Sequence, residues 1–181
     1  MEKIYSDIEK VLISKEDIKK RVKELGEEIT KDLQGEDVIV IGILKGCAMF
    51  FADLVREIDL KVDIDFMICS SYENDTKSSG NVKIIKDTNV DVKDKVVLIV
   101  EDIIDSGRTM YNLKEIFEVR KCKAFKVCTL LNKKERRVAD IKADYIGFEV
   151  PNEFVVGYGL DYAGRYRNLP EVGVLKPEIY S

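Results

Sequence analysis

Apolar and polar residues along the chain switch between two periodicities, one typical of helices and one typical of buried strands. Ser14 and Asp17 have the spacing of a helix N-cap and of a carboxylate at the third helical position. Apolar residues then recur at helical spacing as far as Gly35, at Ile18, Val22, Leu25, Ile29 and Leu33. Residues 14–34 are therefore predicted to form an amphipathic helix that packs one face on the rest of the fold.

Beyond this helix, short apolar runs alternate with helical segments. Asp37 to Leu44 is almost continuously apolar, as expected of a parallel strand that is covered on both faces. Further strands are predicted at 61–70, 82–85, 96–100, 125–131 and 145–150, helices at 49–58 and 109–119, and short apolar stretches lie at 155–158 and 172–175. The alternation predicts an α/β fold with a mostly parallel, twisted sheet flanked by helices, in which ligands bind beyond the carboxyl ends of the strands.

The segment from Ser71 to Asn81 interrupts this alternation. It is polar, contains Gly80 and joins two strand-like segments with no helix between them, which predicts a long loop in an antiparallel hairpin. Loops of this length inside a compact domain are usually functional or disordered. Composition alone does not choose between a functional loop and a solvated hairpin tip.

Composition narrows the possible functions. The 181 residues include no histidine, which excludes Ser-His-Asp and Cys-His nucleophile systems, histidine-ligated zinc and a histidine general base. Acid–base catalysis near neutral pH is therefore left to carboxylates, lysines, tyrosines or water. The 30 basic and 34 acidic side chains give a net charge of −4, which argues against a nucleic acid partner. The length and the absence of repeats suit a single domain.

The N-terminal segment and the cysteines bear on the cellular setting. Residues 1–20 alternate charged with apolar side chains, so we expect neither a signal peptide nor a membrane anchor. The cysteines lack CxxC spacing and each lies in an apolar run, at positions Cys47, Cys69, Cys122 and Cys128. We interpret them as reduced core cysteines of a cytoplasmic protein.

Residues 96–109 carry the most informative chemistry. A buried strand is followed by Glu101 and Asp102, and the stretch from Asp105 to Thr109 then leads into a helix. Gly107 lets a ligand approach the backbone, neighbouring hydroxyls add donors, and the helix N-terminus favours negative charge, which together suit a phosphate. Carboxylates beside a phosphate repel it unless they bind sugar hydroxyls or a bridging divalent metal. The segment therefore suits a ribose phosphate better than a bare phosphate.

Ordinary turn chemistry is the alternative for this segment. Acidic residues, serine and glycine are common after strands, and Ser106 or Thr109 could simply cap the next helix. For an isolated Asp-Ser-Gly turn this would be the better interpretation. The complete ordered string favours the phosphate loop.

The string VVLIVEDIIDSGRT resembles the phosphoribosyl pyrophosphate (PRPP) signature of the type I phosphoribosyltransferases. Further segments resemble, in order, those of the hypoxanthine-guanine branch of that family: ILKGCAMFFADL, Ser71-Tyr72, LLNK and FVVGYGLDYAGRYR. The resemblance covers nearly the whole chain. It implies a type I phosphoribosyltransferase fold with one domain at 1–181, a core at about 36–150, a small hood from both terminal segments and a lid loop at 71–81.

The resemblance also implies a reaction. The 5-phosphoribosyl group would pass from PRPP to N9 of hypoxanthine or guanine, with Mg²⁺, giving IMP or GMP and pyrophosphate in purine salvage. A homodimer or homotetramer is implied, with no nucleic acid or membrane partner. Two alternatives are a non-catalytic PRPP-binding regulator and a xanthine-preferring enzyme. The presence of Asp105, Lys133, Phe154 and the Ser71-Tyr72 pair favours an enzyme over a regulator.

On the PRPP side, roles follow from the resemblance alone. Glu101 and Asp102 match an acidic pair beside the ribose hydroxyls and Mg²⁺, and Asp105 matches the general base for the purine N7 proton. The matching 5′-phosphate loop comprises Asp105, Ser106, Gly107, Arg108 and Thr109, with the Arg108 side chain free to point into solvent. Pyrophosphate contacts are implied for Lys45, Gly46 and Arg167, and the family often has a strained peptide before that lysine.

On the purine side, Lys133 matches the lysine that contacts the 6-oxo group, and Phe154 matches the aromatic residue that stacks on the base. Val155 matches the residue whose backbone reads the purine edge, and Asp161 matches a magnesium ligand on this side of the site. Without the resemblance, Lys133 begins a charged KKERR run typical of a solvated face, and a phenylalanine beside two valines is typical of a core. Ser71 and Tyr72 match the lid, which would exclude water from the reaction.

Overall fold

The computed structural model describes residues 2–71 and 82–180. In chain order the elements are α1 (Glu2–Tyr5), β1 (Ile8–Ile13), α2 (Lys15–Asp32), β2 (Val38–Leu44), α3 (Ala48–Glu57), β3 (Val62–Ser71), β4 (Val82–Lys86), β5 (Val96–Ile104), α4 (Arg108–Val119), β6 (Ala124–Asn132), a 3-10 helix (Lys134–Arg136), β7 (Tyr145–Glu149), β8 (Val155–Val156), β9 (Val172–Leu175) and α5 (Pro177–Tyr180). The predicted alternation of helices and strands is confirmed. The N-cap at Ser14 is also confirmed, since its hydroxyl accepts a hydrogen bond from the Asp17 N–H at 3.1 Å.

A six-stranded sheet of order β4-β3-β2-β5-β6-β7 forms the larger layer. Its strands pair in parallel except at one edge, where β4 runs antiparallel to β3. This edge pair is the predicted hairpin, in which Ser71 of β3 lies opposite Val82 of β4. The loop that joins them falls outside the described residues.

Helices cover both faces of this sheet, which explains the continuous apolar runs. Successive side chains of a strand point to opposite faces, so a strand buried on both sides needs apolar residues at every position. Alternate residues of β2 and β5, Val38, Val40, Val96, Leu98 and Val100, pack in one core with α2 and α3. The intervening residues, Ile39, Ile41, Val97 and Ile99, pack in a second core with α4.

A three-stranded antiparallel sheet of order β1-β9-β8 brings the two terminal segments together. The sequence pattern left β1 unassigned because Glu9 and Lys10 interrupt its apolar residues. In the structure only Ile8 and Ile13 of this strand are buried, and its register with β9 is irregular, as is common for an edge strand with one solvated face.

One predicted boundary is wrong in a way that matters for function. The strand predicted at 96–100 continues to Ile104, where it still pairs with Asn132 of β6. Glu101 and Asp102 therefore lie on the strand rather than after it. Backbone pairing does not require apolar side chains, so β5 continues where its hydrophobic run ends.

The cysteines are free thiols: Cys47 and Cys128 are buried, and Cys69 and Cys122 are partly buried. Among residues 2–71 and 82–180, no helix is both long enough and apolar enough to span a membrane.

Candidate active site

A cavity of about 340 Å³ lies at the carboxyl ends of β2 and β5 and at the start of α4. This is where an α/β sheet is expected to bind a ligand. The cavity gathers residues that are far apart in sequence: Lys45, Gly46, Glu101, Asp102, Asp105, Ser106, Gly107, Thr109, Asp161 and Arg167. Arg108 is exposed and absent from this lining, in agreement with a side chain that points into solvent.

The loop before α4 is held by its glycine. Gly107 is the N-cap of α4 and has a φ of +80°, so neither Ser106 nor Thr109 is the N-cap residue. Ser106 Oγ nevertheless accepts a hydrogen bond from the N–H of Arg108, the first residue of α4, at 3.4 Å, so the turn chemistry of the alternative is partly present. A Cβ atom at position 107 would lie 2.7 Å from Arg137 Cδ and 2.7 Å from Ile141 Cγ2. Glycine thus allows both the left-handed conformation and the close packing. Ser106, Gly107 and Thr109, at the amino end of α4, line the cavity.

Arg137 supports this loop through hydrogen bonds, a role that the sequence did not predict. Its Nε donates to the carbonyl of Asp105 at 3.2 Å, and Nη1 donates to the carbonyl of Ile141 at 2.6 Å. Its Nη2 donates to Asn132 Oδ1, at the end of β6. Burial lowers the pKa of Arg137 below its ordinary value. No local charge pattern separates Arg137 from the neighbouring exposed charges, because its bond to the carbonyl of Asp105 joins residues that are 32 positions apart.

The acidic pair at the end of β5 lies against the loop that follows β2. A Cβ atom on Gly46 would lie 1.6 Å from Asp102 Oδ2, so only glycine lets this loop approach the carboxylate. Asp102 Oδ1 accepts a hydrogen bond from the N–H of Ile103 at 2.8 Å. Burial and then the negative charge of Asp102 raise the pKa of Glu101 well above its ordinary value.

The two carboxylate oxygens of Asp105 differ in their hydrogen bonding. Its Oδ2 lies 3.1 Å from Arg136 Nη1, whereas its Oδ1 is buried and has no hydrogen-bond partner among the described residues. A buried oxygen of this kind is rare unless a ligand or solvent completes its hydrogen bonding. Asp105 thus lines the cavity and keeps one carboxylate oxygen with unused hydrogen-bonding capacity.

The segment 157–167 closes the cavity from the side of the smaller sheet. Arg167 Nη2 lies 2.7 Å from Asp161 Oδ1, and Arg167 Nη1 donates to the carbonyl of Gly159 at 2.6 Å. Gly159 has a φ of +105°, and a Cβ atom there would lie 2.0 Å from the carbonyl oxygen of Gly46. The peptide bond between Leu44 and Lys45 is cis. Arg167 and Lys45 thus bring positive charge to one cavity from two separate loops.

Lys133 lies one strand farther along the sheet, directly after β6. Its N–H donates to the carbonyl of Ile104 at 3.0 Å, and its Nζ donates to the carbonyl of Glu153 at 2.7 Å. The residue is 7% exposed and burial lowers its pKa, whereas Lys134, the next residue, is exposed. The interpretation of Lys133 as part of a solvated charged face is therefore wrong.

Phe154 and Val155 lie beside this lysine and differ in burial. Phe154 follows Glu153, whose carbonyl holds Lys133, and remains 38% exposed, whereas Val155 is buried in β8. The interpretation of Phe154 as an ordinary core residue is wrong, because so large a fraction of it is exposed. Ser71 is the last residue of β3, and Tyr72 lies outside the described residues.

Comparison with known proteins decides the family. A family model for the phosphoribosyl transferase domain matches residues 12–163. The chain belongs to this family. The hypoxanthine-guanine phosphoribosyltransferase of Bacillus subtilis is 59% identical over 174 residues, which are 96% of this chain and 97% of that protein.

Two further relatives agree with this assignment. A hypoxanthine phosphoribosyltransferase of Staphylococcus aureus superposes with a TM-score of 0.95 at 50% identity, covering 98% of this chain and 97% of that one. The bifunctional protein TilS/HprT of Listeria monocytogenes is 54% identical over 99% of this chain, but the chain spans only 28% of that longer protein. The expected type I phosphoribosyltransferase fold is confirmed.

The phosphoribosyltransferase family generally uses Mg²⁺ with PRPP, so the carboxylates of the cavity are candidates to hold this ion. No group of three potential ligands from His, Cys, Asp or Glu is assembled among residues 2–71 and 82–180. The cavity nevertheless exposes three hard carboxylate donors, Glu101, Asp102 and Asp161. This donor set fits Mg²⁺, which binds through one or two carboxylates and takes its remaining ligands from phosphate and water.

Proposed function

We propose that this chain transfers the 5-phosphoribosyl group from PRPP to N9 of hypoxanthine or guanine, giving IMP or GMP and pyrophosphate, in purine salvage. The observation that carries the proposal is the single cavity in which the loop 105–109, the acidic pair of β5, and the segments with Lys45 and Arg167 converge. The names of the relatives from Bacillus subtilis and Staphylococcus aureus support the same activity.

In this proposal the substrate is held by charge and by backbone donors. The amino end of α4, with Ser106, Gly107 and Thr109, binds the 5′-phosphate. Glu101 and Asp102 accept hydrogen bonds from the ribose hydroxyls. Both residues lie on the part of β5 that still pairs with β6, beyond its last pair with β2 at Val100, so their backbone is held in place before PRPP arrives.

Pyrophosphate is the leaving group, and its charge must be neutralised as the bond to C1′ breaks. Lys45, the backbone at Gly46 and Arg167 supply positive charge and donors on this side of the cavity. Mg²⁺ held by Glu101, Asp102 and Asp161 would supply further neutralisation of the phosphate oxygens when bound. Arg167 and Asp161 pair at 2.7 Å in the structure. Binding of pyrophosphate at Arg167 is therefore coupled to binding of Mg²⁺ at Asp161.

The base side requires one proton acceptor and one cation. Oδ1 of Asp105 takes the N7 proton of the purine, since it is buried and without a partner among the described residues. Lys133 stabilises the negative charge that develops on the 6-oxo group, and Phe154 stacks on the base, whose edge the Val155 backbone reads. Ser71 and Tyr72 belong to the lid of residues 71–81 that excludes water in this proposal.

The domain organisation, oligomeric state and location of the protein are proposed from its family membership. Residues 1–181 form one phosphoribosyltransferase domain with a core at about 36–150 and a hood built around the smaller sheet. The protein is a cytoplasmic homodimer or homotetramer. The non-catalytic regulator and the xanthine-preferring enzyme remain the alternatives that the assay must separate.

A base-competition assay with hypoxanthine, guanine, xanthine and adenine at saturating PRPP and Mg²⁺ tests the function. Turnover of hypoxanthine or guanine is expected, preference for xanthine would support the second alternative, and no turnover of any base would support the regulator. Asp105→Asn should lower kcat by about 100-fold or more while PRPP binding changes little. Unchanged turnover would assign the proton to water or to another group.

A further inference from the structure

The ring of Phe154 is stacked on a second aromatic residue, Tyr180 of α5. The two ring centroids are 4.8 Å apart and the ring planes differ by 20°. Tyr162 meets the same phenylalanine edge-on, with centroids 5.6 Å apart and planes at 86°. Phe154 nevertheless stays 38% exposed, so these two contacts leave part of its ring open. Two aromatic neighbours thus position a ring that still presents surface to a ligand.

Phe154 depends on such support because it lies outside the main core. It follows the irregular segment between β7 and β8, and only its backbone is tied into a sheet, where its carbonyl accepts from the N–H of Leu175 at 2.9 Å. A phenylalanine side chain has a broad second torsion, so an unsupported ring turns easily. The stack with Tyr180 restricts that torsion.

The C-terminal segment that carries Tyr180 is itself anchored to the smaller sheet. The N–H of Lys176 donates to the carbonyl of Asp7 at 3.0 Å, and Ile179 packs against the buried cluster around Ile8 and Leu175. These contacts place α5 beside the purine side of the site. Tyr180 is therefore held on a fixed support.

The orientation of Phe154 matters because its neighbour holds the purine-side lysine. The carbonyl of Glu153 accepts from Lys133 Nζ at 2.7 Å, which places the cation and the ring one residue apart along the chain. A base that stacks on the ring and meets the cation needs both in one fixed relation. A rotated ring would move the base plane relative to Lys133.

We propose that Tyr180 is a positioning residue of the purine subsite, which covers one face of Phe154 and orients the ring so that its open face receives the base. This inference rests on the proposed function. It adds the C-terminal helix α5 to the purine side of the site, although no chemistry passes through Tyr180 itself.

The experiment compares Tyr180→Ala with Tyr180→Phe in the full chain, using steady-state kinetics for guanine and for PRPP together with thermal unfolding. Tyr180→Ala should raise the KM for guanine about 3- to 10-fold, the size expected for one aromatic pair, and should leave the KM for PRPP within about twofold. Tyr180→Phe retains the ring and should behave like the wild type.

Three outcomes would overturn the inference. An unchanged guanine KM in Tyr180→Ala would mean that Phe154 is oriented without this ring. A lowered guanine KM would mean that Tyr180 occupies the place of the base. An equal rise in both KM values with a lower Tm would mean that Tyr180 only stabilises the fold. Absence of turnover in the wild type would overturn the proposed function together with the inference. Failure of the inference alone leaves wild-type turnover intact, so the two results can be distinguished.

Discussion

Gly46 packs directly on Asp102, so closely that a Cβ atom at position 46 would lie 1.6 Å from Asp102 Oδ2. The contact joins the loop after β2 to the end of β5, which are neighbouring parallel strands. Pyrophosphate and ribose contacts are proposed for these two residues. The loop after β2 and the Asp102 carboxylate can therefore keep these positions at the cavity wall because position 46 has no side chain.

Replacement of Gly46 by alanine should lower kcat/KM for PRPP by about 100-fold. Either the loop or the Asp102 carboxylate must move by more than 1 Å to make room, and misplacement of that size costs about two orders of magnitude in well-oriented sites. Steady-state kinetics with varied PRPP would measure the change.

Gly35→Ala is the control for general glycine effects. Gly35 has a φ of +84° and no atom among the described residues within 4 Å of its hypothetical Cβ. Alanine there should lower stability by about 1 kcal/mol because of the left-handed backbone, without changing kinetics. A Gly46→Ala enzyme as active as the Gly35→Ala enzyme would contradict the assigned role of this contact.

Lys133→Met should raise the KM for guanine or hypoxanthine by about 10- to 100-fold, as expected for loss of a charged hydrogen bond. Lys133 is 7% exposed, whereas the side chain of Lys134 is 72% exposed and pairs with Glu149. Lys134→Met should therefore leave the same KM within about twofold. Equal effects of the two substitutions would remove Lys133 from the purine side.

Arg137→Met should weaken PRPP binding without removing any group from the cavity. The carbonyls of Asp105 and Ile141 and the amide of Asn132 lose their common donor, so the phosphate loop loses its support. We expect a rise of about 10-fold in the KM for PRPP and a loss of about 1–3 kcal/mol in the free energy of unfolding.

Arg56→Met provides the matched control, because the Arg56 side chain is 71% exposed and its hydrogen bonds among the described residues stay within its own helix, to Ala52 and Asp53. Urea unfolding and PRPP titration of both variants would separate the effects. A normal KM for PRPP in Arg137→Met would mean that the loop keeps its shape through Gly107 alone.

Asp65 on β3 should make stability depend on acid pH. Burial opposes its ionisation, but hydrogen bonds from Thr88 Oγ1 and from the N–H groups of Phe66 and Asn89 outweigh it and hold the pKa of Asp65 well below its ordinary value. A folded-state pKa below the unfolded value of about 3.9 gives stability that is present above that pH. This stability is lost as the pH falls below about 4.

Asp65→Asn should therefore lower the free energy of unfolding by about 1–3 kcal/mol at pH 7 and flatten its decline below pH 4. Asp63→Asn, on the same strand and 57% exposed at the side chain, should change neither. Urea unfolding between pH 7 and pH 2.5 measures both variants. An unchanged acid slope in Asp65→Asn would contradict the assignment.

Much of the fold could be predicted because apolar runs report burial directly. The runs at 38–44 and 96–100 had to be strands covered on both faces, since α2 and α3 pack on one face and α4 on the other. The loop that leads into α4 could also be predicted, because glycine, hydroxyl residues and a helix start are adjacent in sequence. Strand β1 could not, because its pairing with β9 depends on a partner about 160 residues away.

In the candidate site, too, some residues could not be told apart from the local sequence alone. Lys133 and Lys134 are equivalent in a local charge pattern, and so are Arg136 and Arg137. The structure separates each pair, because the carbonyls of Glu153 and Asp105 accept hydrogen bonds from Lys133 and Arg137. Lys134 and Arg136 are exposed and pair instead with the carboxylates of Glu149 and Asp105. Which side chain is buried therefore depends on the positions of carbonyl groups that are distant in sequence.

The sequence by itself therefore determined the α/β class, the buried strands and a loop of the chemical type that suits a ribose phosphate, all of which depend on neighbouring residues. The tertiary structure decided which lysine is buried, which arginine supports the loop, and that Gly46 meets Asp102 and Phe154 meets Tyr180. The physical reason is that these contacts join residues far apart along the chain. Their distances are set only when both sheets and the helices have packed.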